Sequence, residues 1–452
     1  MNGPATGASR RLLADRPPCR PPRRPQLEVV DLLPYLAEVA RRPFNPGVHL
    51  GWGLQPNERV LLCVDNWHDA RCVEAAERTL ADFGCQVTVQ RTDRGEPRLL
   101  EGRDELELLP AMVHEGIAWH ATWADMRRAG TYDKAIWGLG GTSLPVTPEL
   151  LASEAHRLPY PVLEAIDRWT WDRVRGARQV RVTDPEGTEL TMTISPDYFD
   201  AERTAYNPVA VRQWLGDRPT PWSTYLPGHV LAKPWFALPG DDARGVMAGT
   251  MNHIGPYPRI ELEVRGGQVV DVAGSGAFAD GLRTILADTC RVHYPEQPGP
   301  GLLHWWEAAL GTNPKIARPA DRWLEGWACA LPERVRSGVL HLGFGTVIGS
   351  QVERRAAAAG LPVGHYHVHL YFPSVIVQTT AGSEEVVVDA GHLLALDAPE
   401  VRAVAAQYGD PDDLLTEAWV PAVPGINVAG DYLADYAADP VAWTRREARE
   451  GA

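Results

Sequence analysis

Residues 57–93 read NERVLLCVDNWHDARCVEAAERTLADFGCQVTVQRTD, and this stretch decides the first half of the fold. Val60 to Val64 is a short apolar run of strand length. Val73, Ala76 and Leu80 then recur at helical spacing on one face, and Gly84 closes that helix. A second strand follows through Val87 and Val89. Strand, helix and strand in this order predict parallel strands joined by a right-handed crossover. KAIWGL at residues 134–139 adds a further strand. Residues 26–176 are therefore expected to form an α/β domain with an open parallel sheet. No GxGxxG follows the first strand, so a dinucleotide site is not supported. Asp65 and His68 stand at that strand's carboxyl end, where open α/β sheets bind ligands. Without phosphate-binding glycines beside them, they read as loop filling.

Beyond residue 177 the pattern changes. RQVRVTDPEGTELTMTIS (residues 178–195) alternates, turns at Asp184-Pro185-Glu186-Gly187 and alternates again, which is a hairpin. Arg259 to Val264 and Val269 to Val272 form a second pair through Arg265-Gly266-Gly267. Two helices are expected on either side of Gly311-Thr312-Asn313-Pro314. Further strands are read near Val339–Phe344, His367–Phe372, Val375–Gln378 and Glu385–Val388. Residues 177–452 are thus expected to be an α+β domain with antiparallel strands, and no internal repeat is visible.

At 452 residues the chain is too long for one typical core, which supports two domains plus a tail. Its net charge of -14 argues against a general nucleic-acid surface, which needs a basic face. Six scattered cysteines with no CxxC pair fit neither a disulfide scaffold nor a zinc ribbon, and reduced thiols in a cytoplasm are the simplest reading. No apolar run reaches the length of a membrane span. Residues 1–25, ending in RPPCRPPRRP, lack the apolar segment of a secretory signal and read as a disordered Pro/Arg-rich tail.

The chemistry concentrates late in the chain. Six of the fourteen histidines lie between His304 and His392. The densest group is GHYHVHLYF, with His365, His367 and His369 at spacing two. Residues two apart on a strand share a face, so these imidazoles can look into one cavity and two of them can chelate one ion. A carboxylate is the usual further ligand for iron, manganese or hydrolytic zinc. Glu307, in HWWEAALGTNP, follows two tryptophans and precedes an apolar stretch. Inside the fold its charge is costly unless paired or bound to a cation. The alternative is an exposed glutamate at a helix start.

Several motifs, taken in order, resemble the thermophilic-type metallo-aminopeptidase family, to which 2,5-dihydroxypyridine 5,6-dioxygenases are also similar. VTDPEGTEL (residues 182–190) resembles that family's T-x-P-x-G-T-[DE]-L hairpin, and LPGHV (residues 226–230) its LP-x-[GE]-E-V segment. EAALGTNP from Glu307 is similar to E-x-x-[IL]-G-T-N-P, the most specific piece. GVLHLGFG (residues 338–345) is similar to G-T-x-H-[IF]-A-L-G, and His367-Val368-His369 to H-x-D. The resemblance runs from about residue 30 to residue 395. It implies a two-domain fold, an oligomer (here expected to be a homo-oligomer) and a metal between the arms of the second domain.

The departures decide more than the matches. The peptidases hold two metals with two glutamates, two histidines and the aspartate of H-x-D, beside a tyrosine. Here His229 stands at the first glutamate position, His369 at the aspartate and Ile348 at the tyrosine. Losing two carboxylates removes the negative charge that lets two cations sit close together. One glutamate with two or more histidines is instead the composition of a 2-His-1-carboxylate triad on Fe(II). The ring-cleaving relatives use a single iron held partly by the H-x-D pair, which implies Glu307, His367 and His369 as the metal ligands. His341 and His229 are then the candidate catalytic residues, orienting substrate or moving a proton, and His365 is a substitute ligand.

The expected function is a mononuclear non-heme iron oxygenase using dioxygen and a small aromatic or amino-acid-derived substrate. Zinc or manganese are the competing metals, and neither nucleic acid nor membrane is an expected partner. A metal-dependent aminopeptidase or amide hydrolase is the alternative, and a non-catalytic ligand-binding relative the third reading. Trp222, Trp235, Trp305, Trp306, Trp323 and Trp327 fall near these motifs and could wall a planar substrate, although most tryptophans are core. Arg259 and Lys233 could hold a substrate carboxylate, with surface placement the default.

Overall fold

The computed structural model describes residues 15–20, 26–42, 51–96, 101–138 in part, 144–174, 177–193, 229–230, 242–294, 297, 299–317, 331–346 and 351–450. The first half is a parallel three-stranded sheet in the order β2-β1-β3, built from β1 (Arg59–Asp65), β2 (Gln86–Thr92) and β3 (Lys134–Trp137). Both neighbours pair with β1 in parallel. The crossover helix Ala70–Asp82 is capped by the Asp69 side chain, which accepts from the Arg71 N–H. It buries Cys72, Val73, Ala76 and Leu80 against the sheet, and Gly84 leaves it at φ 77°, a conformation glycine adopts without strain.

The remaining strands form two antiparallel sheets. The larger has eight strands in the order β15-β14-β13-β4-β5-β7-β8-β9: β4 (Ala177–Thr183), β5 (Glu189–Thr193), β7 (Asp242–Met251), β8 (Pro256–Arg265), β9 (Gln268–Gly274), β13 (Ser374–Thr379), β14 (Glu384–Asp389) and β15 (His392–Leu393). The 178–195 hairpin and the 259–272 pair are both present as read, with the Gly187 N–H closing the first turn on the Asp184 carbonyl. The smaller sheet runs β12-β11-β10-β6, from β6 (His229–Val230), β10 (Trp305–Gly311), β11 (Leu340–Gly345) and β12 (His365–Leu370).

The segment before Gly311-Thr312 corrects one expectation. It is β10, a strand, not a helix. Glu, Ala and Leu favour helix by propensity, but a short strand buried on both faces carries no alternation to announce itself, and pairing with β11 outweighs local preference. Two other points differ from the reading. Within the stretch expected to be a disordered tail, residues 15–20 are docked: Cys19 bridges Val420, and Arg16 pairs with the nearly buried Glu417 at 2.7 Å. Within the first half, residues 101–108 pack on the second, where Leu106 meets Gly281.

The small sheet has two unlike faces. Ala308, Leu310, Leu342, Val368 and Leu370 point into the main hydrophobic core. Val368 lies so close to Gly249 of β7 that a Cβ there would stand 2.7 Å from its methyl group. The opposite face carries the polar residues and is also buried. Among the described residues no helix is long and apolar enough to cross a membrane.

Candidate metal centre

Register builds the polar face. On β12 the period of two puts Tyr366, Val368 and Leu370 on the core side and His365, His367 and His369 on the other. On β11 the residues directly opposite are Gly345, Gly343 and His341. On β10, Glu307 faces Gly343 and Ala309 faces His341. Every second residue on this face is thus imidazole, carboxylate or something very small. Gly343 lies between Glu307 and His367: a Cβ there would meet Glu307 Oε2 at 3.2 Å and His367 Cδ2 at 3.4 Å. The hollow is a consequence of glycine and alanine opposite the large polar side chains.

The register shift between Trp305 and Glu307 is a bulge, which returns Glu307 to this face after two consecutive tryptophans. Glu307 is 4% exposed, and its Oε2 lies 3.0 Å from His341 Nε2. One ligand atom each from Glu307, His341 and His367 lie within 4.8 Å of one another. A second such group is His253, His341 and His369, and a third His253, His365 and His367.

The expected ligands therefore do not meet as one set. Glu307 and His367 converge with His341, whereas His369 converges with His341 and His253. The reason is spacing along β12: the His367 and His369 rings are 6.4 Å apart, and His341, directly opposite His369, projects between them, 4.5 Å and 5.3 Å from the two rings. His365 is 4.4 Å from the His367 ring. The backbone of His229 pairs with Gly311 at the edge of this sheet, and its side chain lies outside the described residues.

Sequence reasoning missed four contributors. His253, in the turn between β7 and β8, stacks on His367 with ring centroids 3.6 Å apart, and its Nδ1 is 2.8 Å from His369 Nε2. Glu105, from the first half of the chain, is fully buried and reaches His367 Nδ1 at 2.8 Å. Glu333, also buried, lies 3.9 Å from His369 Nδ1, and the neighbouring Arg334 lies 3.4 Å from His253 Nε2. A lone histidine in a turn carries no spacing signal. Glu105 sits in GRDELELL, where acids ordinarily mark a solvated face. Asn252 could have hinted at a built turn: its Oδ1 accepts from the Ile254 and Gly255 N–H groups.

Burial, above all, pushes His253, His341, His365 and His367 well below the usual imidazole range, and for three of them neighbouring histidines add to it. Neutral imidazoles are the form that ligates metals. Burial pushes Glu105 well above the carboxylate range, against the opposing effect of the His367 backbone N–H, which donates to it at 2.9 Å. The residues present fit a divalent ion on one further observation. His367 is held at Nδ1 while its Nε2, also buried, has no hydrogen-bond partner among the described residues. That is the arrangement of a metal-ligating histidine braced by a carboxylate. Contacts of 2.8–3.0 Å between donor atoms match the roughly 3 Å expected of neighbouring ligands on bonds of about 2.1 Å.

The other sequence candidates are accounted for structurally where they are described. Asp65 and His68 pair at 2.7 Å in a closed network. Arg259 donates to the Glu186 carbonyl and to Glu261. Trp306 stands edge-on to His365, 5.5 Å between rings, and Trp305 belongs to the core. Trp222, Trp235, Trp323, Trp327, Lys233 and Ile348 lie outside the described residues. The described cysteines, Cys19, Cys63, Cys72, Cys85 and Cys290, are free.

No protein-family model matches the chain, and no curated protein does. Among solved structures it is similar to 2,5-dihydroxypyridine dioxygenase from Pseudomonas putida KT2440, at 16% identity and a TM-score of 0.48, over 83% of this chain and 100% of that one. It is also similar to wild-type AmpT from Thermus thermophilus, at 15% identity and a TM-score of 0.41, over 81% and 99%.

Proposed function

We propose that this chain is a metalloenzyme in which Glu307, His341 and His367 hold one divalent ion, and that it oxygenates a small, planar substrate. The observation that supports it is one carboxylate and two neutral imidazoles converging on a single hollow face, with His253 and His369 beside them. This composition suits Fe(II), with zinc and manganese as competitors. A bound Fe(II) would supply the redox centre at which substrate and dioxygen meet. Relative to the sequence expectation, His341 moves from proton handling into the ligand set, and His369 becomes its neighbour. Glu307 offsets half the charge of a divalent ion. His253, between His369 and Arg334, is placed to hold or pass a proton at its Nδ1 or Nε2. His229, at the edge of the same sheet, keeps its expected role as a proton-handling residue. A homo-oligomer in the cytoplasm completes the proposal.

One observation favours the hydrolytic alternative. Glu333 places a further buried carboxylate behind the imidazoles, which would return some of the negative charge that two ions need. Stoichiometry separates the readings. Protein purified without a histidine tag or chelator should carry one iron per chain after anaerobic loading and consume oxygen with dihydroxylated aromatic or amino-acid-derived compounds. Two ions per chain with amide cleavage would establish the hydrolase, and tightly held zinc with no response to oxygen would sink the oxygenase.

A further inference from the structure

We infer that Glu105 is the positioning residue of this centre, a carboxylate from the opposite half of the chain that aims His367. The inference rests on the metal reading above. Glu105 is 0% exposed and works through both oxygens: Oε1 meets His367 Nδ1 at 2.8 Å, and Oε2 accepts the His367 backbone N–H at 2.9 Å. A side chain and its own backbone are thus gripped by one carboxylate, which leaves the ring little freedom about χ1 and χ2.

The backbone N–H of His253 and the Asn252 side chain also favour the charged form of this carboxylate. Asn252 in turn donates to the Gly102 carbonyl at 2.9 Å, three residues before Glu105. Gly102 is itself packed against Tyr257, so closely that a Cβ would stand 2.3 Å from the ring. The 101–105 segment, the β7–β8 turn and β12 are therefore tied into one unit, and the two stacked imidazoles, His253 and His367, both hang from it.

A buried acid that holds both a ring and its backbone has a structural use, and that alone would explain its presence. What a structural use does not explain is the other end of His367. With Nδ1 occupied by Glu105, Nε2 is presented into the hollow without a partner among the described residues, on the side where Glu307 and His341 converge. A carboxylate that fixes the tautomer and raises the basicity of the opposite nitrogen changes metal affinity by about 10- to 100-fold.

The test uses Co(II) alone as the probe, titrated into the full chain and into Glu105→Gln, His367→Ala and the double variant. Thermal melting of each metal-free protein serves as the control. Glu105→Gln should bind Co(II) about 10- to 100-fold more weakly, with shifted visible bands. The double variant should bind no more weakly than His367→Ala, because the effect passes through that ring. Unchanged affinity and spectrum in Glu105→Gln, or a loss of equal size in the His367→Ala background, would overturn the positioning role alone. Absence of Co(II) binding by the unaltered chain would overturn the metal reading and this inference with it. Where Glu105→Gln does not fold, Glu105→Asp carries the same comparison, since it keeps the carboxyl group and shortens the reach.

Discussion

Two buried acid–imidazole pairs, Asp65 with His68 and Glu105 with His367, differ in what they leave unpaired. At the end of β1, His68 uses Nδ1 on Asp65 at 2.7 Å and Nε2 on the Leu144 carbonyl at 3.1 Å, while the other Asp65 oxygen meets Arg94 at 3.1 Å. Each ring nitrogen has a partner and the carboxylate has a cation. In the small antiparallel sheet, Glu105 takes one nitrogen of His367 and the other is left facing Glu307 and His341. The pairing itself is therefore uninformative. What distinguishes chemistry from architecture is the nitrogen left over, and whether small residues leave room in front of it.

Substituting the two histidines should pull the pairs apart most strongly. His367→Ala should lower metal affinity by more than about 100-fold with modest loss of metal-free stability, since the position sits in front of a hollow. His68→Ala should leave metal content intact and cost about 1–3 kcal/mol of unfolding free energy, because Asp65 and the Leu144 carbonyl lose a buried partner. Metal titration and denaturant unfolding read both. The reverse pattern would break the comparison.

Next in size is Glu307→Gln. A buried carboxylate beside a neutral imidazole costs stability without a cation, so removing its charge should leave the metal-free protein as stable or more so. Metal affinity should fall by at least about tenfold, as one acidic ligand is lost. Loss of both stability and binding would instead make Glu307 a structural residue.

A smaller effect is expected from Gly343→Ala. The backbone there is ordinary strand, so no left-handed conformation is at stake. The added Cβ would stand 3.1 Å from Glu307 Cβ and 3.2 Å from its Oε2, which forces a shift of a few tenths of an ångström. Affinity should fall several-fold, with a stability loss of about 1 kcal/mol. Unchanged affinity would show that the hollow has room to spare.

How much of this was legible depended on whether the signal was local. The β-α-β unit and the two hairpins could be read because alternation, helical spacing and turn residues repeat within short windows. The shared face of His365, His367 and His369 was legible for the same reason, being a strand period of two. β10 was misread because WWEAALG, buried on both faces, has no alternation and its residues prefer helix. Which histidine joins Glu307 was not legible, because it depends on the register of β11 between β10 and β12. His253 and Glu105 come from a turn and from the other half of the chain. They reach the site only through tertiary packing, and beyond the turn-forming Asn252 nothing in their own neighbourhoods marks them.

A third buried acidic group extends the comparison to a setting with neither metal nor imidazole. At the β4–β5 turn, Asp184 accepts the backbone N–H groups of Glu186 and Phe372, and Glu186 Oε1 accepts the hydroxyls of Thr250 and Tyr432. Burial raises both carboxyls above their usual range, and for Glu186 the nearby Asp184 adds to it. The sign follows from proton linkage. The folded chain holds these protons at a pH where the unfolded chain has released them, so their contribution to stability is complete below about pH 4 and is lost as pH climbs through neutrality. Glu186→Gln should flatten that part of the pH dependence, leaving the variant relatively more stable on the alkaline side by about 1 kcal/mol. Because Tyr432 bonds to Glu186, the effect should appear first as easier proteolysis of the C-terminal segment of the unaltered chain above neutral pH. Parallel stability curves for the two proteins across this range would mean that hydrogen-bond donors alone keep a buried carboxylate ionised, and the contrast drawn for Glu307 would lose its basis.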